Sequence, residues 1–303
     1  MGATSLSAVL TRPARPDRAP AVLLLQGLDC ASLDPPSGQT AAYVPILNAL
    51  DEAGYVTMRV DKSGVGQSGG PPCGDTDFAA EVQGFRAAIR TLRGQAFVDP
   101  HRIYLFGHST GGLIATLLAS EPGVAGVVVY GADPQPWRQY ELANARRQWQ
   151  LQGLPAERVD QLVDRWAALQ KALYDERMPS AEATNRFPEF RSVFDAQGRY
   201  QGRSMSYFRQ LASTDWEKAW RNVTVPVAVV VGDSDALSAP GDQLRTARIV
   251  ESARPGATTI VHVDCADHWF RRVCSARDSL TWRWAGPVNP AVAEAIVGWL
   301  GRK

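Results

Sequence analysis

Short apolar runs alternate along this chain with longer stretches of helical periodicity. Continuous runs of β-branched and aliphatic residues are typical of strands that are covered on both faces. The candidate strands are residues 21–25, 55–60, 103–106, 127–130, 225–231 and 258–263, and the candidate helices are residues 42–53, 77–92, 110–120, 242–253 and 290–300. This alternation predicts an α/β fold with a mostly parallel, doubly wound sheet. Residues 5–10 are a candidate antiparallel edge strand.

One long interval interrupts the alternation. Between residues 132 and 222 there is no strand pattern, but residues 143–152 and 157–173 have helical periodicity. An excursion of about 90 residues is far longer than an ordinary connection. We interpret residues 132–222 as a helical lid inserted into an α/β core of residues 1–131 and 223–303. The alternative is a helical insertion without a role in binding.

Composition narrows the classes of partner. Lys plus Arg number 32 and Asp plus Glu 31, so no charge excess favours nucleic acid or an anionic membrane. No apolar run reaches the ~20 residues that a membrane span needs. No secretory signal is visible, so a cytoplasmic location is the default expectation. The four His and four Cys show no metal-ligand spacing, and neither a metal nor an organic cofactor is expected.

The strongest chemical signal is Gly107-His108-Ser109-Thr110-Gly111-Gly112. It directly follows the strand 103–106 and begins the helix 110–120. A serine at such a strand-to-helix turn has a strained backbone and an exposed hydroxyl, and the tight turn requires small residues two positions before and after it. Ser109 is therefore the predicted nucleophile. The alternative is a glycine-rich turn that only closes a β–α connection.

A serine hydroxyl needs a base to take its proton. His268 is the only histidine in a loop at the carboxyl end of a late strand, where ligands bind in such sheets. His101 precedes a strand, His108 lies inside the glycine turn and His262 lies within a strand. His268 is therefore the predicted general base.

An acid that orients the histidine should follow another strand. The strand 225–231 leads into Gly232-Asp233-Ser234-Asp235. Asp235, three residues after the glycine, is favoured over Asp233, and Asp264 and Asp267 remain further alternatives. The resulting chain order is Ser, Asp, His.

Together, residues 107–112, Asp235 and His268 resemble the α/β-hydrolase superfamily. Gln26-Gly27-Leu28 stands where many members carry His-Gly, and residues 61–68 resemble the D-x-x-G-x-G-x-S turn of that superfamily. The resemblance implies that the backbone N–H groups of Leu28 and Thr110 form an oxyanion hole. Gln26 departs from the usual histidine.

The resemblance also implies an activity. We expect a serine hydrolase that cleaves a carboxylic ester of a small-molecule acyl substrate through an acyl-enzyme. Thioesterase, amidase or peptidase activity with the same residues, or a non-catalytic ligand-binding role, are the alternatives.

The cysteines fall near this predicted site. Cys30 and Cys73 follow the loops of two strands that are neighbours in such a fold, and Cys265 and Cys274 bracket His268. Cys30–Cys73 and Cys265–Cys274 are either disulfides or four free thiols. Pairing would favour a periplasmic or secreted location.

The predicted lid is rich in aromatic and basic side chains. For the aromatic residues the alternatives are that they line an acyl pocket or that they pack the lid helices against one another. For three arginines the alternatives are contact with a carboxylate of the substrate or a solvated helix face. These residues are Trp137, Tyr140, Trp149, Trp166, Tyr174, Phe187, Phe190 and Phe194, with Arg138, Arg146 and Arg147.

Overall fold

The computed structural model describes residues 5–14, 18–33, 42–281 and 286–303. Its strands are β1 Ala8–Thr11, β2 Ala19–Leu25, β3 Val56–Val60, β4 Val98–His108, β5 Val124–Tyr130, β6 Val227–Gly232 and β7 Thr258–Val263. They form one sheet in the order β1-β3-β2-β4-β5-β6-β7. Only the edge strand β1 is antiparallel to its neighbour. The predicted α/β class with a mostly parallel sheet is confirmed.

Helices connect these strands. They are α1 Val44–Glu52, α2 Phe78–Arg93, α3 Thr110–Leu118, α4 Trp137–Leu151, α5 Ala156–Gln170, α6 Ser180–Arg186, α7 Met205–Ser213, α8 Trp216–Arg221, α9 Pro240–Ala253, α10 Ala276–Thr281 and α11 Pro290–Leu300. Successive residues of β2 point to opposite faces. Val22 packs on the side of α1 and α11, and Leu23 packs on the side of α2, α3 and α9. The sheet is therefore covered on both faces.

Among the strands, the largest difference from the predicted boundaries is in β4. It begins at Val98, five residues before the apolar run that predicts it, and its first residues include the exposed His101 and Arg102. The register with β2 shifts between Ala19 and Ala21, across from this polar part. A strand pattern based on apolar residues misses this start because the extension is polar and only half covered.

The interval between β5 and β6 is helical, as predicted, and contains α4 to α8. The sequence pattern does not predict the short helices α6, α7 and α8, because each spans fewer than three turns. The core of this helical segment is continuous with one face of the sheet: Trp216, Trp220 and Phe208 belong to the same buried cluster as Leu113 and Leu118 of α3.

Aromatic side chains fill the interior of this segment. The Trp166 ring lies 4.8 Å from the Phe190 ring and 6.2 Å from the Trp149 ring, centroid to centroid. Most of the aromatic residues named above therefore contribute to packing within the segment. Of the predicted arginines, Arg138 binds Asp175 and Arg146 binds Asp160 at the surface.

Glu141 of α4 is a buried carboxylate inside this segment. It accepts hydrogen bonds from the Tyr200 hydroxyl at 2.7 Å, the Tyr174 hydroxyl at 2.9 Å and the Gln170 amide at 3.1 Å. Burial nevertheless raises the pKa of Glu141 from 4.5 to about 7, because these donors offset only part of the desolvation of the charged form. The folded protein therefore holds this carboxyl in its neutral form at acidic pH.

This raised pKa predicts a specific pH dependence of stability. The contribution of Glu141 to the free energy of unfolding is fully present below its unfolded pKa of 4.5 and is lost as the pH rises through about 7. A shift of this size corresponds to about 3 kcal/mol. Glu141→Gln should remove that part of the dependence when urea unfolding is measured from pH 5 to pH 8. The exposed Glu182→Gln is the control, and equal pH dependence in wild type and Glu141→Gln would contradict the assignment.

Candidate active site

The turn between β4 and α3 is held in a strained conformation. Ser109 has φ 55° and ψ −125°, in the left-handed region that residues with a side chain rarely adopt. A Cβ at Gly111 would lie 2.0 Å from the Leu25 carbonyl oxygen, and a Cβ at Gly107 would lie 2.5 Å from the Gly112 Cα. Both glycines are therefore sterically required for this turn.

The turn lies at the switch point of the sheet. The chain leaves β2 toward β3 on one side and leaves β4 toward β5 on the other, and a crevice opens where the connections diverge. The loop after β2 enters this crevice beside the serine: a Cβ at Gly27 would lie 3.2 Å from the Ser109 Cβ. Thr110 begins α3, so its N–H lacks an acceptor within the helix. The predicted oxyanion residues Leu28 and Thr110 thus belong to the two segments that meet here.

His268 and Asp235 form a buried hydrogen-bonded pair. The His268 Nδ1 lies 2.8 Å from the Asp235 Oδ2. The other carboxylate oxygen accepts from the backbone N–H groups of Leu237 and Ser238, each at 2.8 Å, and the Gln243 amide donates to Oδ2 at 3.2 Å. Since a carboxylate only accepts, Nδ1 carries the proton and Nε2 is left as an acceptor.

The alternative acids have other partners or positions. Asp233 lies 2.8 Å from His262 on the neighbouring strand, at the protein surface. Asp267 forms an ion pair with Arg271, and Asp264 is exposed. Among the candidate carboxylates, Asp235 is the one that contacts His268.

His108 has a role that the sequence did not reveal. Its Nε2 lies 2.8 Å from the His268 carbonyl oxygen, so it donates there, and its Nδ1 accepts from the Tyr43 hydroxyl at 2.6 Å. The Tyr43 oxygen also accepts from the Gly27 N–H at 3.4 Å. Burial lowers the pKa of His108 well below its usual value. A neutral relay therefore joins the loop after β2 to the backbone of His268.

Arg147 connects the helical segment to the loop that carries Asp235. Its guanidinium donates to the Ala236 carbonyl at 3.1 Å and also binds the Leu237 carbonyl. Its guanidinium also binds the Asn144 side-chain oxygen at 3.2 Å and the Asp242 carboxylate at 3.6 Å, so the contact with the two carbonyls supports the shape of the loop. It does not place Arg147 as a partner for a substrate carboxylate.

Gln26 stands where a histidine is usual in the resembling superfamily. Its side chain is fully buried, and neither amide atom has a hydrogen-bond partner in the part of the chain that the structure describes. The substitution therefore changes the polar interior behind the loop.

Two disulfides flank the site. Cys30 is bonded to Cys73, and Cys265 is bonded to Cys274. The first joins the loop after β2 to the segment before α2, and the second closes the loop that contains His268. Both loops of the site are therefore cross-linked.

The residues that the structure describes contain no group of three or more His, Cys, Asp or Glu side chains arranged to bind a metal ion. None of their helices is both long and apolar enough to cross a bilayer.

A family described as "Serine aminopeptidase, S33" matches residues 38–268, about three quarters of the chain. The chain belongs to this family of α/β-hydrolases. The match ends at His268 and includes the serine turn and Asp235.

Two curated proteins match parts of this hydrolase. The putative esterase NocK of Nocardia uniformis subsp. tsuyamanensis is 34% identical over 133 residues, 41% of this chain and 36% of its own length. Thiohydrolase apmlB of Arthrinium phaeospermum is 32% identical over 108 residues, 35% of each chain. The alignments therefore span only about a third of the length of each relative.

Solved structures share the fold over nearly the whole chain. Est1E from Butyrivibrio proteoclasticus, with ferulic acid bound, has a TM-score of 0.61 at 17% identity and covers 99% of this chain and 95% of that chain. The enol-lactonase from Burkholderia xenovorans LB400 has a TM-score of 0.55 at 18% identity and covers 98% and 97%.

The relay through Tyr43 and His108 predicts a measurable loss. Tyr43→Phe removes the hydroxyl that donates to His108 and leaves its buried ring nitrogen unpaired. We expect the hydrolase to lose about 1–2 kcal/mol of unfolding free energy in urea. Tyr55→Phe, outside the relay, is the matched control. Equal stability of the two variants would contradict the relay.

The disulfides predict a thiol count. The denatured hydrolase should show no reactive thiol without reductant and four after reduction. Titration with a chromogenic disulfide reagent measures both values. Four reactive thiols before reduction would contradict the pairing.

Proposed function

We propose that this hydrolase cleaves a carboxylic ester through an acyl-enzyme, with Ser109 as nucleophile, His268 as general base and Asp235 as the orienting acid. The supporting observation is the buried His268–Asp235 pair beside the strained serine turn. Membership of the family supports hydrolase activity, and cleavage of an ester in particular is what we propose beyond it.

In the first step, the Ser109 oxygen attacks the acyl carbonyl while His268 Nε2 accepts the hydroxyl proton. Asp235 remains ionised and stabilises the imidazolium that forms. The Asp235 oxygens accept four hydrogen bonds, which hold the carboxylate in place as the charge of the histidine changes. The carbonyl oxygen becomes an oxyanion bound by the N–H groups of Leu28 and Thr110.

In the second step, His268 gives its proton to the leaving alkoxide oxygen, and the alcohol departs. A water molecule then attacks the acyl-enzyme, with His268 accepting one of its protons. Collapse of this intermediate returns that proton to Ser109 and releases the carboxylic acid. This sequence requires no metal or organic cofactor.

We also propose residues 132–222 as a lid over a core of residues 1–131 and 223–303. Arg147 supports this role, because it joins α4 to the loop that follows Asp235. The substrate is then a small acyl molecule bound between the lid and the carboxyl edge of the sheet.

Thioester hydrolysis is the second candidate. It is favoured by the relative named thiohydrolase, which is 32% identical over part of the chain. An oxygen ester and a thioester with the same butyryl group distinguish the two activities. An aminoacyl anilide tests the peptidase activity implied by the family description.

The two disulfides support a further proposal, a periplasmic or secreted location, because structural disulfides persist in oxidising compartments. The thiol titration above tests the pairing on which this location depends.

The central prediction concerns Ser109. Fluorophosphonate labelling and hydrolysis of p-nitrophenyl butyrate should both be lost in Ser109→Ala, with kcat reduced on the order of 10⁴-fold or more. Ser252→Ala is the control, because Ser252 is exposed at the carboxyl end of α9, where its hydroxyl donates to the Ile249 carbonyl and accepts from Arg221. A folded wild-type protein with neither labelling nor turnover would move the weight to a non-catalytic binding role.

A further inference from the structure

A buried cluster of three charges lies behind the loop after β2. The Lys62 ammonium is 3.1 Å from the Glu81 carboxylate, and the Arg203 guanidinium binds the other oxygen of Glu81. All three side chains are at least 97% buried. Desolvation of the charged groups opposes the formation of such clusters, so a buried cluster is weak evidence for a role in stability. Its presence here therefore needs another explanation.

Both cations also donate to one short piece of backbone, and Arg203 donates in addition to the Thr76 carbonyl at 3.5 Å. Lys62 donates to the carbonyl oxygens of Gly27 and Asp29, and Arg203 donates to that of Leu28 at 3.1 Å. Three successive carbonyl groups are thus bound by buried cations. Cations bound to backbone acceptors form charge-assisted hydrogen bonds, which are stronger than neutral ones.

The geometry of the peptide unit connects these carbonyls to the N–H groups of the loop. A trans peptide is planar, and its C=O and N–H point in opposite directions. The carbonyl of Gly27 and the N–H of Leu28 belong to one such plane. Lys62 therefore fixes the direction of the Leu28 N–H by binding the opposite side of the same plane, and its charge polarises that N–H as a donor.

We propose that Lys62 and Arg203 are positioning residues that set the Leu28 N–H for oxyanion binding. This inference rests on the proposed function, since it assigns a support to the oxyanion hole of that reaction. Neither side chain touches the reacting atoms, because each acts through the backbone of the loop.

Arg203 extends the device to the helical segment. It precedes α7, and its guanidinium carbon lies 3.9 Å from the centre of the Tyr207 ring. The next residue, Ser204, donates its N–H to the Gly74 carbonyl at 2.7 Å, beside the Cys30–Cys73 disulfide. The helical segment therefore binds the loop after β2 directly, through Arg203, and also binds the segment beside the disulfide, through Ser204.

Asp61 holds the far end of the same loop. Its carboxylate accepts from the Leu33 N–H at 2.7 Å and from the Ser32 hydroxyl at 2.8 Å. Consecutive residues after β3, Asp61 and Lys62, therefore bind the N–H side and the carbonyl side of the loop respectively. This gives the turn after β3 a second task besides its own folding.

The charge balance of the cluster makes the test practicable. Removal of either cation leaves a neutral ion pair with Glu81, whereas removal of Glu81 leaves two buried cations. Lys62→Met and Arg203→Met are therefore the informative variants. Arg209→Met is the matched control, because Arg209 lies on α7 and donates to the Leu173 carbonyl, away from the loop.

The measurement compares oxyanion binding with ground-state binding. A trifluoromethyl ketone adds to Ser109 and presents an oxyanion, whereas the corresponding methyl ketone reports binding of the uncharged carbonyl. For Lys62→Met we expect kcat on p-nitrophenyl butyrate to fall about 10- to 100-fold. KM should change by less than about threefold, and affinity for the trifluoromethyl ketone should fall by the same factor as kcat. Arg203→Met should show a smaller loss of the same type, and Arg209→Met no selective loss.

Active-site titration with the fluorophosphonate corrects each variant for its folded fraction. A structural role alone would lower the titre while leaving the ratio of the two ketone affinities unchanged per active site, and this result would overturn the proposal. If Lys62→Met does not fold, a wild-type ratio in folded Arg203→Met overturns it equally. Wild type that neither labels nor turns over would instead refute the proposed function, so the two failures are distinct.

Discussion

The backbone at Gly111 passes so close to the end of β2 that a methyl group there would overlap the Leu25 carbonyl. This contact forces the chain to turn sharply after β4 and places Ser109 in a left-handed conformation. It also brings the serine turn against the loop that leaves β2 in the opposite direction. The remaining features of the site depend on this close approach, because they orient groups around the serine.

Each loop around the serine is held from its far side by buried or partly buried polar contacts. Tyr43 and His108 join the loop after β2 to the backbone of His268. Arg147 binds the carbonyls that follow Asp235. Lys62 and Arg203 bind the carbonyls beside the proposed oxyanion donor. Loops carry more irregular backbone than strands, so such contacts supply the rigidity that a reacting geometry requires. The helical segment provides both of these arginines and is thus part of the support.

The sequence predicts the parts of this arrangement that have local signatures. Apolar runs indicated the strands of the sheet, and the glycine pattern around Ser109 indicated the turn. Long-range partners carry no such signature. His108 and His268 are 160 residues apart, and Arg203 and Glu81 are 122 apart. The polar start of β4 and the short helices α6 to α8 escaped prediction because their patterns are weak.

A crystal structure of the protein after reaction with a fluorophosphonate tests the proposed site most directly. We expect a covalent bond from the Ser109 oxygen to phosphorus, with the phosphoryl oxygen about 3 Å from the backbone nitrogens of both Leu28 and Thr110. The His268–Asp235 hydrogen bond should be retained. An adduct on another residue, or a phosphoryl oxygen turned away from these two N–H groups, would contradict the account.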